Sequence, residues 1–263
     1  MIRELLKSAF DSVRPIFQGI EDNRAVVFSV IEGSNPGRIF VDRPDDPSTA
    51  LLRFAGGEIY LGGRADDEAL NREIVELMLN DLASPPHLLI FSFSEAWKHA
   101  LDELLKDRGV RRVIRDTFAL SPEQFSASHS DWRSRVPEGY RVQLMDRRLA
   151  EGVHGLDLLW GSLDNFFSRA FGFCVMHDDE MVSRCCPVAL GDRRYETGVE
   201  TAERYRRQGY ATLAGCAFIE HCLEQGLMPE WGCFYNVASK SLALKLGFIQ
   251  RPDVEVHYVR LQE

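Results

Sequence analysis

The sequence lacks a surplus of basic residues. It has 31 lysines and arginines against 40 aspartates and glutamates, a formal charge of −9 at pH 7. Nucleic-acid binding rests on a basic face that neutralises phosphates, so no nucleic-acid partner is expected. The acidity suits a cationic substrate, and it serves solubility equally well. No apolar run approaches the ~20 residues of a membrane-spanning helix, so no membrane is expected as a partner. The opening stretch MIRELLKSAFDSVRPIF scatters charges where a secretory leader would keep an apolar core, so no signal peptide is expected. Cysteine is missing from the first half. All six (Cys174, Cys185, Cys186, Cys216, Cys222, Cys233) lie in the second half and none forms C-x-x-C. On a strand, Cys185 and Cys186 would point to opposite faces. Reduced core cysteines of a cytoplasmic protein are therefore expected, with neither disulfide nor metal centre.

What is present is an ordinary globular composition, in a chain of 263 residues that suffices for one large or two small domains. The pattern is mixed α/β, with an α+β-like order of elements. Residues 2–18 read as a helix with Ile2, Leu5, Leu6, Ala9, Phe10 and Val13 on one face. Ala25–Ile31 (AVVFSVI) reads as a buried strand. Strands follow at Arg38–Asp42, Leu51–Phe54 and Glu58–Leu61, the last two joined by a hairpin turn at Gly56-Gly57. A helix capped by Asp66 to about Leu82, a strand His87–Phe93, a helix Ser94–Arg108 and a strand Arg112–Leu120 complete the first half. Ser121–Arg135, polar and serine-rich, reads as a linker.

From Gly139 the order begins again. A strand Tyr140–Met145 and helical stretches at Asp146–Gly152 and Leu156–Ala170 lead to a hairpin, Phe171–His177 with Met181–Leu190. Then come strand Tyr195–Thr201, helix Tyr210–Gln225, strand Glu230–Phe234, helix Ala238–Leu246 and strands Phe248–Gln250 and Glu255–Leu261. Three strands, helix, strand, helix, strand thus occurs in residues 38–120 and again in 171–261. Two domains are expected, 1–125 and 137–263, the first a degenerate copy of the second.

One stretch carries chemistry. Arg206, Gly209 and Ala211 fit R-x-x-G-x-A between a strand and a helix. Small residues there let the backbone approach an anion, and the helix start adds unpaired N–H groups and a positive dipole end. The pattern suits a pyrophosphate, and the plainer reading is a basic turn before a helix. Downstream, Asn236, Ser239, Leu242, Gly247 and Phe248 follow as N-x-x-S-x-x-L…G-F.

With these two motifs the chain resembles the GCN5-related N-acetyltransferase (GNAT) superfamily. It is most similar to a bacterial branch related to the zwittermicin-resistance acetyltransferases, through FGFCV (Phe171–Val175), RRQGYA, CLEQGLMPEW (Cys222–Trp231) and KLGF. The likeness covers residues 137 to 263 and only vaguely the first half. It implies a GNAT fold with a central mixed sheet in the C-terminal half, acetyl-CoA as co-substrate, no metal, and a small-molecule amine as acceptor. By the same resemblance, backbone groups of Val199 and Thr201 pair with the pantetheine arm. Arg206, Arg207, Gln208, Gly209, Tyr210 and Ala211 cradle the pyrophosphate, with Thr212 adding a hydroxyl, and Asn236 and Ser239 meet the CoA arm. Asn236 reads equally well as a helix cap. In the first half the matching turn, LGGRADDEA, carries Asp66, Asp67 and Glu68, so that half is expected not to bind acyl-CoA.

The family's tyrosine seven residues after the asparagine is Ala243 here, which leaves Tyr235, water or no residue as acid. An ammonium substrate needs a base, and Glu196 or Glu200, spaced i,i+4 on one strand face, are the candidates. The loss at Ala243 keeps open a non-catalytic acyl-CoA-binding or sensing protein. The sequence leaves the oligomeric state open, a homodimer included.

Overall fold

The computed structural model describes residues 1–83 and 86–261. The N-terminal half runs β1 (Arg3–Glu4), α1 (Arg14–Phe17), α2 (Arg24–Ile31), β2 (Gly37–Val41), β3 (Thr49–Phe54), β4 (Ile59–Gly63), α3 (Glu68–Leu77), β5 (His87–Ser92), α4 (Glu95–Leu105) and β6 (Arg111–Leu120). Next are α5 (Pro122–His129), β7 (Tyr140–Leu144), α6 (Arg147–Glu151), α7 (Leu156–Trp160) and α8 (Leu163–Arg169). The chain ends with β8 (Phe173–His177), β9 (Glu180–Gly191), β10 (Arg194–Thr201), α9 (Tyr210–Glu224), β11 (Met228–Phe234), α10 (Val237–Lys245), β12 (Phe248–Gln250) and β13 (Val254–Arg260).

All thirteen strands join one mixed sheet in the order β1-β2-β3-β4-β5-β13-β6-β11-β10-β9-β8-β7, with β12 also on β6. Each half contributes an antiparallel meander followed by a parallel pair, β4 with β5 and β10 with β11. The last strand of each half then crosses over. β13 lies against β5, and β6 lies against β11, while β6 and β13 pair with each other at the sheet's centre. The expected repeat of elements is present, and its two units share their terminal strands.

The clearest departure from the sequence reading is Ala25–Ile31, which is the helix α2 and not a strand. Every residue from Ala25 to Ile31 is buried. Helix α2 touches β3 on one arm of the sheet and β9 and β10 on the other, so the sheet wraps around it. A helix enclosed on all sides has no polar face, and its apolar run looks like a buried strand. Its backbone lies tight against the sheet. A Cβ on Gly191 would come within 2.2 Å of Ser29 N, and one on Gly37 within 2.5 Å of Val30 Cγ1. The start of α2 is held from the other half, because Ala25 N–H donates to Glu230 Oε2 at 3.1 Å.

Other corrections are local. Residues 2–18 are no single helix: β1, a 3-10 turn (Lys7–Val13) and α1 divide them. Asp67, and not Asp66, caps α3 by accepting from Leu70 N, while Asp66 pairs with Arg64. The stretch Ser121–Arg135 is no linker, since Ser121 caps α5 and both Phe125 and Trp132 are buried in the C-terminal core. The stretch 156–170 is split at Gly161, whose φ is +74°. All six cysteines are free and buried, and burial pushes the thiols of Cys174 and Cys216 up to about 12. No helix among the described residues is long and apolar enough to cross a membrane.

The contact at Gly191 is backbone against backbone, so relief requires moving a strand or a helix. Gly191→Ala is expected to lower stability by about 3 kcal/mol, at the upper end for overpacked cores, read as a shift of the urea midpoint at unchanged slope. A variant as stable as the parent would show that α2 is not seated this closely.

Candidate active site

The site is built around the parallel pair β10 and β11. Their ladder holds only three registered pairs, ending at Glu196↔Glu230. Beyond that pair the strands part. Thr197–Thr201 stays bonded to β9 and Trp231–Phe234 to β6, so the two facing edges are left open. A β-bulge interrupts the β9–β10 ladder between Glu196 and Thr197, at the vertex of the opening. Val199 and Thr201 lie on the open arm, where backbone groups on the side away from β9 have no strand partner.

The turn after β10 leads into α9, which is fifteen residues long. Arg207 and Gly209 take left-handed conformations, φ +59° and +93°. Among the described residues, the backbone N–H groups of Arg207, Gln208, Gly209, Tyr210 and Ala211 have no acceptor. Successive free donors beside the positive end of a helix are chemistry that suits an anion. The Arg206, Arg207 and Gln208 side chains are exposed around it, and Thr212 is buried in the first turn. The Tyr210 ring turns inward instead, stacked on Tyr140 at 4.7 Å, which in turn stacks on His177 at 4.4 Å.

On the other arm Asn236 caps α10, its Oδ1 accepting from Ser239 N at 3.0 Å. The Ser239 hydroxyl accepts from Trp231 Nε1 at 2.9 Å. Ala243 is fully buried. Tyr235 projects from the far side of β11, its hydroxyl accepting from Ile114 N at 3.3 Å on β6.

The two carboxylate candidates meet different surroundings. Glu200 is exposed and pairs with Arg184. Glu196 is buried at the vertex, 8% exposed, and burial pushes its carboxyl up to about 7 against the pull of Arg115. Arg115 Nη2 donates to Glu196 Oε1 at 2.5 Å. Arg115 comes from β6 and lies over Gly232, where a Cβ would come within 2.4 Å of its guanidinium. Nothing in the sequence marks Arg115, because its place depends on which strand neighbours β11. A cavity of about 110 Å³ opens beside Glu196, lined by Asp22, Asn23, Arg115, Arg194, Glu230 and Trp231, residues of both halves. A more open pocket of about 290 Å³ follows Gly198–Glu200 on the same strand, with His154, Leu156 and Arg184 around it.

The corresponding place in the N-terminal half is closed. Residues Ile59–Leu61 and Ile90–Ser92 pair in parallel and then part as β10 and β11 do. A Cβ on Gly62 would come within 2.7 Å of Phe17, so α1 plugs the approach. The Asp67 carboxylate already occupies the start of α3. An anion there would meet a fixed negative charge.

Comparison with known proteins agrees with this geometry. A family model described as GNAT acetyltransferase matches residues 14–256. An uncharacterized N-acetyltransferase, YdfB of Bacillus subtilis, is 26% identical over 267 residues, spanning 98% of each chain. Among solved structures, a GCN5-related N-acetyltransferase-like protein from Streptococcus suis superposes with a TM-score of 0.73 at 22% identity, over 97% of this chain and 99% of that one. A tandem GNAT protein from the clavulanic acid biosynthesis pathway superposes with a TM-score of 0.67 at 11% identity, over 100% of this chain and 99% of that one. These two likenesses are of fold, and they span both halves. The match of the family model over residues 14–256, nearly the whole chain, places this protein in the GNAT acetyltransferase family.

Proposed function

We propose that the protein transfers an acetyl group from acetyl-CoA to a small-molecule amine, using the C-terminal half as the acyl-CoA site. The five free N–H groups from Arg207 to Ala211 carry this reading. They suit the pyrophosphate, with the Arg206 and Arg207 side chains and Gln208 around it. The pantetheine arm would lie between the parted strands, against the backbone of Val199 and Thr201. Asn236 and Ser239 border the opposite arm, already bound to their own helix and to Trp231. The acceptor is read as an amino-bearing compound of the kind the zwittermicin-resistance branch implies, approaching through the cavity where the halves meet. A second copy of the chain is not required by any of these contacts.

Glu196 is the base in this scheme. Its carboxylate takes a proton from the substrate ammonium, and the freed amine attacks the thioester carbon. The C–N bond forms as the carbonyl electrons move to oxygen, where backbone N–H groups of the open strand would stabilise the charge. Collapse breaks the C–S bond, and the second amine proton goes to the departing thiolate. A thiol of pKa ~8.5 is a tolerable leaving group, so a reaction with Ala243 in the family's tyrosine position needs no side-chain acid.

Two measurements test this. Titration calorimetry with acetyl-CoA should show binding by the parent and none by Gly209→Asp. That position meets no heavy atom within 4 Å, so the added charge falls on the anion seat, although φ +93° adds some strain. A folded parent that does not bind would end the acyltransferase reading. Screening amines for thiol release then separates an enzyme from a CoA sensor.

With an amine in hand, Glu196→Gln should slow turnover by roughly 10² to 10⁴, the usual range for general-base catalysis. Glu196 is raised to about 7 and acts only when deprotonated, so kcat/KM should fall about tenfold per unit as pH drops below that value. Unchanged kcat/KM in Glu196→Gln would assign the base elsewhere, with Glu200 next.

A further inference from the structure

The feature no motif accounts for is the buried guanidinium in the parted strands. Arg115 is buried and belongs to the N-terminal half, yet it reaches the vertex of the C-terminal site. It lies over a pair of neighbouring aromatic rings, its Cζ 5.7 Å from the Phe91 centroid and 5.5 Å from that of Phe234. One ring comes from each half, and together with the missing side chain at Gly232 they leave the guanidinium a single lodging. Its Nη2 binds Glu196 Oε1, and Nε has no partner among the described residues. Glu196 lines the cavity, and among the described residues its bond to Arg115 is made through Oε1.

We propose that Arg115 is a positioning residue for the transfer reaction: by holding Oε1 it fixes the Glu196 carboxylate with Oε2 turned toward the incoming amine. This rests on the reading of Glu196 as base. A free glutamate at that place would have rotamers to choose from and, buried beside Glu230, every reason to stay protonated. The rigid fork of Arg115, buried beside the two rings, selects one rotamer and keeps the ionised form within reach of neutral pH. The C-terminal half lacks this cation of its own. The exchanged strand β6 delivers it, so the N-terminal half takes part in the chemistry although its own acyl-CoA seat is closed.

Other groups face Glu196 as well. Glu230 lies opposite on β11, and Glu58 and Tyr60 approach from the hairpin and strand β4. Arg194, Arg251, Glu21 and Asp22 line the same cavity. Arg194 pairs with Glu230 and Arg251 with Glu21, so Arg115 is the cation directly bonded to Glu196.

The test follows the proton itself and needs no acceptor. Full-length protein labelled with ¹³C at the glutamate carboxyl carbons is titrated by NMR, and the Glu196 resonance is assigned by its loss in Glu196→Gln. In the parent it should titrate near pH 7. In Arg115→Met its midpoint should rise by at least one unit, a tenfold tighter hold on the proton. Should that variant fail to fold, Gly232→Ala serves instead, since it keeps both charges and pushes the guanidinium aside. There the midpoint should rise by half a unit or more. A midpoint unmoved in a folded variant would overturn the proposal, whatever the activity of Glu196→Gln. Conversely, a fully active Glu196→Gln with the midpoint shift intact would remove the base reading and leave the ion-pair geometry as found.

Discussion

Helix α2 sits between the two arms of the sheet, and its seat constrains nearly everything around it. The trough is lined from both arms, with Ala189 and Val256 meeting the same core as Val27 and Val30. Gly191 and Gly37 allow the helix to lie this close, and a carboxylate from β11 satisfies the Ala25 N–H in its first turn. That carboxylate, Glu230, is the partner in register with Glu196. The helix start and the site vertex therefore share one pair of residues. A shift of α2 would be transmitted to the parted strands without passing through a loop.

The crossing of β6 and β13 has a comparable effect on the chemistry. A parallel pair that ends in a splay exposes two edges, and something must cover the outer side of β11. In this chain the cover is β6, and with it come Arg115 and the phenylalanine wall formed with β5. The N-terminal half repeats the element order of the C-terminal half, with Phe17 against Gly62 and Asp67 at the start of α3 in the matching place. What it places at the neighbouring vertex is Arg115, bonded to Glu196.

Much of this was legible in the residues. The turn RRQGYA, the strand before it and the helix after it fall where the motif puts them, because glycine and small residues tolerate few other uses at that spacing. The order of strands and helices in both halves was likewise readable from alternation and caps such as Ser94. What escaped was whatever depends on distant neighbours. Ala25–Ile31 carries β-branched residues that favour a strand, and enclosure on every side decides for a helix. Ser121–Arg135 looks polar, yet its few apolar residues, Phe125 and Trp132, anchor it into the core. Arg115 is one arginine among many until the sheet order is known. The equal spacing of Glu196 and Glu200 could not tell which would be buried.

The crossed strands also bear on how the chain is made. Strand β5 offers an edge that is closed by Val256–Arg260, roughly 170 residues further along the chain. Until that segment arrives, the row of unpaired groups on His87–Ser92 stays open to any passing strand, the circumstance in which multi-unit chains misassemble. The N-terminal half cannot finish folding at the ribosome ahead of its twin. Both halves must be completed together, and a product truncated before Val256 would carry an open edge with it.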